Sequence, residues 1–156
     1  MLRWFKSLFK APRPSGPPQP IRSFQTTEPT ITQGIITVDH NTWVIEVPGA
    51  DTIRLFEVSD PAVQQCMLTY RVRMKTQDVA GRAYLEMWCR LPGGGEFFSK
   101  GFQHAVKGNT DWASYEIPFY LKQGQQPDLI KLNLIMEGAG KIWLRDVVLL
   151  QTPLAS

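Results

Sequence analysis

Residues 67–75 read MLTYRVRMK, and this stretch decides the fold class of the chain. Its side chains alternate between apolar and polar, a period of two that predicts a β-strand with one buried and one wet face. Its wet face carries Arg71 and Arg73 and is therefore cationic. The predicted inward side chains are Leu68, Tyr70, Val72 and Met74.

Similar runs surround this strand. After a predicted turn at residues 78–81, residues 83–91 read AYLEMWCRL, in which Leu85, Met87, Cys89 and Leu91 alternate with Tyr84, Glu86, Trp88 and Arg90. The other runs are GIITV, TWVIEV, IRLFEV, EFFSKGF, DWASYEIPFYL, LIKLNLIME and KIWLRDVVLL. Gly, Pro, Asn and Asp separate them, and no long stretch has helical periodicity. Eight or nine strands predict an all-β, two-sheet antiparallel β-sandwich, with a jelly roll fitting the count.

The N-terminal segment differs from the rest in charge. Residues 1–27 contain five basic residues and no acidic one, which leaves 12 basic against 14 acidic residues from position 28 onward. A slightly acidic domain disfavours nucleic-acid binding, because a phosphate backbone needs a basic surface. We predict a basic amphipathic helix and Pro-rich flexible tail at residues 1–23 and a β-sandwich domain at residues 24–156.

The first ten residues have the pattern of a short two-faced helix. The candidate membrane or partner contacts are Trp4, Phe5, Lys6, Leu8, Phe9 and Lys10. Such a helix could lie in an anionic membrane interface, dock in a partner's groove, or simply be a frayed terminus. Five prolines between residues 12 and 20 predict an extended linker after it. Because the apolar residues are too interrupted for a secretory signal and too few to span a bilayer, we expect a cytoplasmic protein with at most peripheral membrane contact.

The pattern from Ile53 to Leu150 resembles carbohydrate-binding modules with the galactose-binding-like jelly-roll fold. The resemblance is carried by LTYRVRMKT, AYLEMW, GNTDWASYEIPF and EGAGKIWLRDVVLL. It implies a non-catalytic domain that binds a glycan or, in some branches, a protein, often with a structural calcium. Here the calcium would rest on Asp146 alone, and we expect no other cofactor.

Aromatic and charged side chains on the wet faces form the candidate ligand-binding set. The set is Arg71, Arg73, Tyr84, Glu86, Trp88 and Arg90, if the two strands pair, extended by Asn133 and Glu137. Sugar rings stack on aromatic planes, and their hydroxyls need charged or amide groups. The alternative is that a loop covers Tyr84 and Trp88, or that the charges only form cross-strand pairs on a solvated sheet. The other tryptophans, Trp43, Trp112 and Trp143, are expected chiefly in the core.

The sequence contains no recognisable catalytic constellation. His40 and His104 are the only histidines and lie in no nucleophile or metal motif. Glu86 and Glu137 could form an acid pair, but nothing else supports that role. Both cysteines have apolar neighbours, which predicts buried free thiols and no zinc site. We therefore expect a carbohydrate-binding module and no enzyme; the alternative is an adaptor or structural protein tethered to a membrane or partner complex through residues 1–10.

Overall fold

The structure, a computed structural model, describes residues 12–155. This range contains nine strands, paired antiparallel, and one 3-10 turn at Phe102–His104. The strands are β1 (Gln19–Ser23), β2 (Ile36–Asp39), β3 (Thr42–Val47), β4 (Asp51–Ser59), β5 (Cys66–Leu91), β6 (Gly95–Lys100), β7 (Val106–Leu121), β8 (Leu129–Met136) and β9 (Gly140–Pro153). The all-β prediction is confirmed, whereas the predicted helix within residues 1–10 lies outside the described residues.

Strand β5 belongs to both layers of the fold. Residues 66–77 pair with β7 and β9, whereas residues 83–91 pair with β6 and β8. Between the two halves, Asp78 and Gly81 have φ angles of 51° and 75°, so the predicted turn is instead a bend within one continuous strand. The front sheet has the order β2–β3–β9–β5–β7, with β1 beside the second half of β9. The back sheet has the order β4–β8–β5–β6.

One hydrophobic core fills the space between the two sheets. The inward residues of both halves of β5 belong to it, among them Tyr70 and Met87, which are both 0% exposed. Tyr70 Oη donates a hydrogen bond to the backbone oxygen of Asn133 at 3.2 Å, which joins the front sheet to the back sheet. Burial also raises the pKa of Tyr70. The predicted sandwich and the inward side chains predicted within residues 68–91 are confirmed.

Both cysteines lie in this core as free thiols, as the sequence predicted. Burial raises the pKa of Cys66 to about 11 and that of Cys89 to about 12, from 9.0. A thiol with such a pKa is almost entirely protonated at neutral pH and is a poor nucleophile. The two residues therefore act as small apolar side chains.

Two glycines in the β8–β9 turn let that turn close onto the bend in β5. Ala80 N donates to Ala139 O at 2.8 Å, so the two backbones are in direct contact. A Cβ on Gly140 would lie 2.8 Å from Val79 Cα, and one on Gly138 would overlap Ala80 O. The absence of side chains at these positions therefore allows the two backbones to approach this closely.

The proline-rich segment differs from the expected flexible linker. Gln19 pairs with Gln151 in β9, and Ser15 N donates to Pro153 O at 2.8 Å. Proline lacks an N–H but is tolerated at a sheet edge, where one side of the strand needs no donor. The prediction of a flexible tail is therefore wrong for residues 12–23, which run along the edge of the sandwich.

Candidate functional site

The predicted ligand-binding set is divided between two outer faces of the sandwich. Arg71 and Arg73 lie on the front sheet, whereas Tyr84, Glu86, Trp88 and Arg90 lie on the back sheet. The prediction required the two halves of β5 to pair with each other, but each half pairs with other strands. The expected single surface is therefore wrong. We call the outer face of the front sheet the front face and that of the back sheet the back face.

Two of the predicted back-face residues are covered, although Phe98 and Phe102 beside them are 53% and 47% exposed. Tyr84 and Glu86 are only 7% and 5% exposed, although they point away from the core. The Phe102 ring, from the turn after β6, lies 4.8 Å from the Tyr84 ring. Trp88 is half-buried, with its ring 5.1 Å from that of Phe98. The expectation that residues 84 and 86 project into water is wrong, and the alternative of a covering loop holds for Tyr84.

Every cation of the back face has a carboxylate partner. Asn133 Nδ2 donates to Glu86 Oε1 at 2.9 Å, and Lys100 Nζ lies 3.6 Å from Glu86 Oε2. The other pairs, at 2.8–2.9 Å, are Arg54–Glu57, Arg82–Glu137, Arg90–Asp128 and Lys131–Glu96. The hydrogen bond from Arg82 lowers the pKa of Glu137. Because Glu86 and Glu137 are held by different partners, the arrangement does not favour a catalytic acid pair.

Two tryptophans expected in the core lie on the front face instead. Trp143 is half-buried, and Lys75 Nζ and Lys141 Nζ lie 5.2 Å and 4.8 Å from the centroid of its ring. Arg145 Cζ lies 4.1 Å from the ring centroid of Trp112, which is also half-buried. The prediction was correct only for Trp43, which is 2% exposed.

The sequence contained a signal for the outward orientation of Trp143. Its neighbours Ile142 and Leu144 are both fully buried, so the alternation of the strand places the indole on the opposite face. Applying the rule used for residues 67–75 to KIWLRDVVLL would have found it. The size of tryptophan favours burial, but the alternation of the strand decides its orientation here.

Two arginines face each other across neighbouring strands at the centre of the front face. Arg73 in β5 is the register partner of Arg145 in β9 and, on its other side, of Ser114 in β7. Neither arginine forms an ion pair with a described residue, and Arg145 Nε is buried without a hydrogen-bond partner among them. Like charges placed directly opposite each other destabilise a sheet. The positive charges of Arg73 and Arg145 are therefore not neutralised by any carboxylate among the described residues.

Two surface hollows border the front face. The Lys75 hollow, of about 500 Å³, is lined by Lys75, Thr76, Gln77, Asn109, Thr110, Asp111 and Trp143. The Arg71 hollow, of about 630 Å³, includes Arg71, Ser23, Gln25, Asn41, Trp43 and Asp146 in its lining. Because Arg71 and Lys75 lie two residues either side of Arg73 on one strand, an elongated ligand could contact both hollows at once.

No protein-family model matches this sequence, and no curated protein sequence is similar to it. Solved structures, in contrast, are similar in fold. A family 4 carbohydrate-binding module matches with a TM-score of 0.54 and 12% identity, over 83% of this chain and 78% of that chain. The fold predicted from the sequence is confirmed: it is a carbohydrate-binding-module-like jelly roll.

Two further similarities extend over most of this chain. The enzymatically active domain of tailspike protein 4 from bacteriophage CBA120 matches with a TM-score of 0.52 and 11% identity, over 73% of this chain and 15% of that one. A family 29 carbohydrate-binding module complexed with mannohexaose matches with a TM-score of 0.45 and 11% identity, over 74% of each chain.

The calcium that the resemblance implied does not fit the residues of this module-like fold. Asp146 is exposed at an irregularity of β9, with a φ angle of 55°, and borders the Arg71 hollow. Within residues 12–155, no three His, Cys, Asp or Glu side chains are grouped so that they could hold a metal ion. Calcium takes six to eight oxygen ligands, several of them usually carboxylates, which Asp146 alone does not supply.

The two histidines lie at exposed turns. His40 is in the β2–β3 turn, where its Nδ1 contacts the carboxylate of Asp39, and His104 ends the 3-10 turn. Neither belongs to the front face or borders either of its hollows. Their placement gives no support to a catalytic role.

Proposed function

We propose that this chain is a non-catalytic carbohydrate-binding module that holds an oligosaccharide across its front face. The observation that carries the proposal is the pair Trp112 and Trp143, half-buried on the outer surface beside polar hollows. The fold likeness to a family 4 carbohydrate-binding module supports it.

The side chains of the front face suit the two surfaces of a sugar. The apolar C–H face of a pyranose ring stacks on an indole plane, and Trp143 offers such a plane at the rim of the Lys75 hollow. The ring hydroxyls need donors and acceptors, which Gln77, Asn109 and Asp111 provide in the same hollow. The arrangement therefore combines an apolar platform with polar groups that fix orientation.

The dimensions of the front face favour a chain of sugars over a single ring. Arg71 and Lys75 are four residues apart on β5, a distance of about 13 Å along an extended strand. Each of them borders one of the two hollows. A ligand that reaches both must extend along the strand and pass over the Arg73–Arg145 pair.

The test is a comparison of tryptophans on the two faces. We expect Trp143→Ala to weaken binding to the glycan found on a glycan array by about tenfold, since an aromatic contact contributes about 1 kcal/mol beyond its buried area. Trp112→Ala should act in the same direction. The matched control is Trp88→Ala on the back face, which should leave the affinity unchanged.

The comparison also tests the rival surface on the back face. If Trp88→Ala abolished binding and Trp143→Ala did not, the site would be the back face around Trp88 and Arg90. If the unaltered full-length protein bound no glycan, the proposed function would be wrong. Calorimetric titration of each variant, with its melting temperature measured in parallel, separates lost affinity from lost folding.

We also propose that residues 1–10 attach the protein to a membrane surface, with the protein located in the cytoplasm. It rests on the amphipathic pattern of Trp4, Phe5, Lys6, Leu8, Phe9 and Lys10. Within residues 12–155, no helix combines the length and apolar character needed to cross a bilayer. Sedimentation with vesicles containing anionic lipid should pellet the full chain but not its Trp4→Glu, Phe9→Glu variant; equal pelleting would remove the membrane proposal.

A further inference from the structure

We propose that the front face selects anionic glycans, whose carboxylate or sulfate groups bind Arg73, Lys75 and Arg145. The inference rests on the proposed carbohydrate-binding function and deepens it, because it names the chemical class of the ligand. The neutral sugar ring would stack on the indoles while its acidic substituent contacts the cations.

The observation behind the proposal is a set of cations without counter-ions. None of the three forms an ion pair with any described residue, although the five cations of the back face all do. Three carboxylates of the front face have other contacts, whereas Asp146 at the Arg71 hollow forms no ion pair with a described residue. Glu116 lies 3.3 Å from Arg71, Glu46 lies 3.1 Å from Lys141, and Asp111 Oδ1 accepts a hydrogen bond from Trp112 N at 2.7 Å.

The placement of Arg73 and Arg145 favours a shared anion. Directly opposed side chains on neighbouring antiparallel strands have their Cβ atoms about 5 Å apart, so one oxyanion could contact both guanidinium groups. Guanidinium donors bind carboxylate and sulfate-like oxyanions through paired hydrogen bonds, which are stronger than those to neutral hydroxyls. Binding would also relieve the repulsion between the two arginines. A neutral glycan would leave that repulsion in place.

Two of the three cations contact the tryptophans that are proposed to bind the sugar rings. Arg145 is stacked on Trp112, and Lys75 Nζ lies over the ring of Trp143. A ring stacked on either indole would place its substituents within reach of the neighbouring cation. The cations are therefore part of the same surface that would hold the sugar rings.

A glycan is favoured over a nucleic acid as the polyanion. The chain is not basic beyond its N-terminal segment, since from residue 28 onward it contains 12 basic and 14 acidic residues. Nucleic-acid affinity depends on many phosphate contacts along a basic stripe. Three cations at one spot instead suit a ligand with isolated charges.

The experiment compares matched probes on the full chain. Calorimetric titration would use polygalacturonate against its methyl-esterified form, dextran sulfate against dextran, and an oligo-dT strand of similar charge. We expect at least about tenfold tighter binding of one charged member over its neutral partner. The first pair reports carboxylate recognition and the second reports sulfate recognition.

The variant Arg73→Gln, Lys75→Gln should remove most of this preference. Its matched control is Arg13→Gln, Lys122→Gln, because both residues are exposed, form no ion pair with a described residue and line neither hollow. The control removes the same net charge and should leave the preference unchanged. Thermal unfolding of both variants checks that each is folded.

The outcomes separate this inference from the proposed function. Equal affinity for charged and neutral members, with both weakened by Trp143→Ala, would overturn the anionic preference and leave the carbohydrate-binding function standing. An equal loss in the control variant would assign the effect to bulk charge and overturn the inference, as would equally tight binding of oligo-dT. If neither charged nor neutral glycans bound, the proposed function itself would fail.

Discussion

The front face of the sandwich contains the first half of β5, and the back face contains the second half. The two faces differ in whether their cations have carboxylate partners. On the back face Lys131 and Glu96 are 2.9 Å apart, and the other four cations also have carboxylate partners. On the front face Arg73 and Arg145 oppose each other with no such partner among the described residues. The cations of the back face are therefore neutralised within the protein, whereas Arg73 and Arg145 have no carboxylate partner among the described residues.

The aromatic rings also differ in their contacts: they pack against one another on the back face, where Phe98 and Phe102 nevertheless stay exposed. On the back face the Phe102 ring lies against Tyr84, and Phe98 lies against Trp88. On the front face the rings of Trp112 and Trp143 are in contact with cations and are not covered by another aromatic ring among the described residues. A ligand could therefore reach the front face without displacing an aromatic side chain.

The largest expected effect concerns the bend that puts the two halves of β5 on different faces. Gly138→Ala should destabilise the protein by up to about 3 kcal/mol, because the new Cβ would overlap Ala80 O and force the backbone apart. Urea unfolding measures the change. Gly49→Ala is the control, since its new Cβ would have no neighbouring atom within 4 Å and its φ is not positive. Similar small effects for both would mean that the bend is not fixed by close packing.

The next effect tests whether the back face depends on its paired charges. Asn133→Ala should cost about 2 kcal/mol, because it removes a hydrogen-bond donor from the buried carboxylate of Glu86. Ser114→Ala on the exposed edge of the front face should change the free energy of unfolding little. Both would be measured by urea unfolding at neutral pH. If Asn133→Ala were as mild as Ser114→Ala, the back-face network would not be a source of stability.

The smallest expected effect is a change in the free energy of unfolding that has opposite signs on the two faces. Arg73→Thr should stabilise the protein by about 0.5 kcal/mol at low salt, because it removes the repulsion from Arg145. Lys131→Thr on the back face should instead destabilise it by about 0.5 kcal/mol, through loss of the pair with Glu96. Melting temperatures at low and high salt would show both effects shrinking as charges are screened. A loss of stability in both variants would remove the distinction between the faces.

Part of the candidate surface could be predicted from the sequence and part could not. The alternation of residues 67–75 correctly placed Arg71 and Arg73 outside and Tyr70 inside. Alternation could not reveal that Tyr84 is covered, because the covering Phe102 lies in a separate turn. Nor did it identify the opposition of Arg73 and Arg145, because these residues are distant in sequence and meet only through strand pairing.

The sequence by itself determined most strands of the sandwich, the inward residues of β5 and the free cysteines. These follow from local geometry, since successive side chains of a strand point to opposite sides and the apolar set must be buried. Only the tertiary structure decided which strands became neighbours, and with them which outward residues share a face. Strand pairing depends on hydrogen bonds between distant segments and on the bend at residues 78–81, where Gly138 and Gly140 let the β8–β9 turn close against β5.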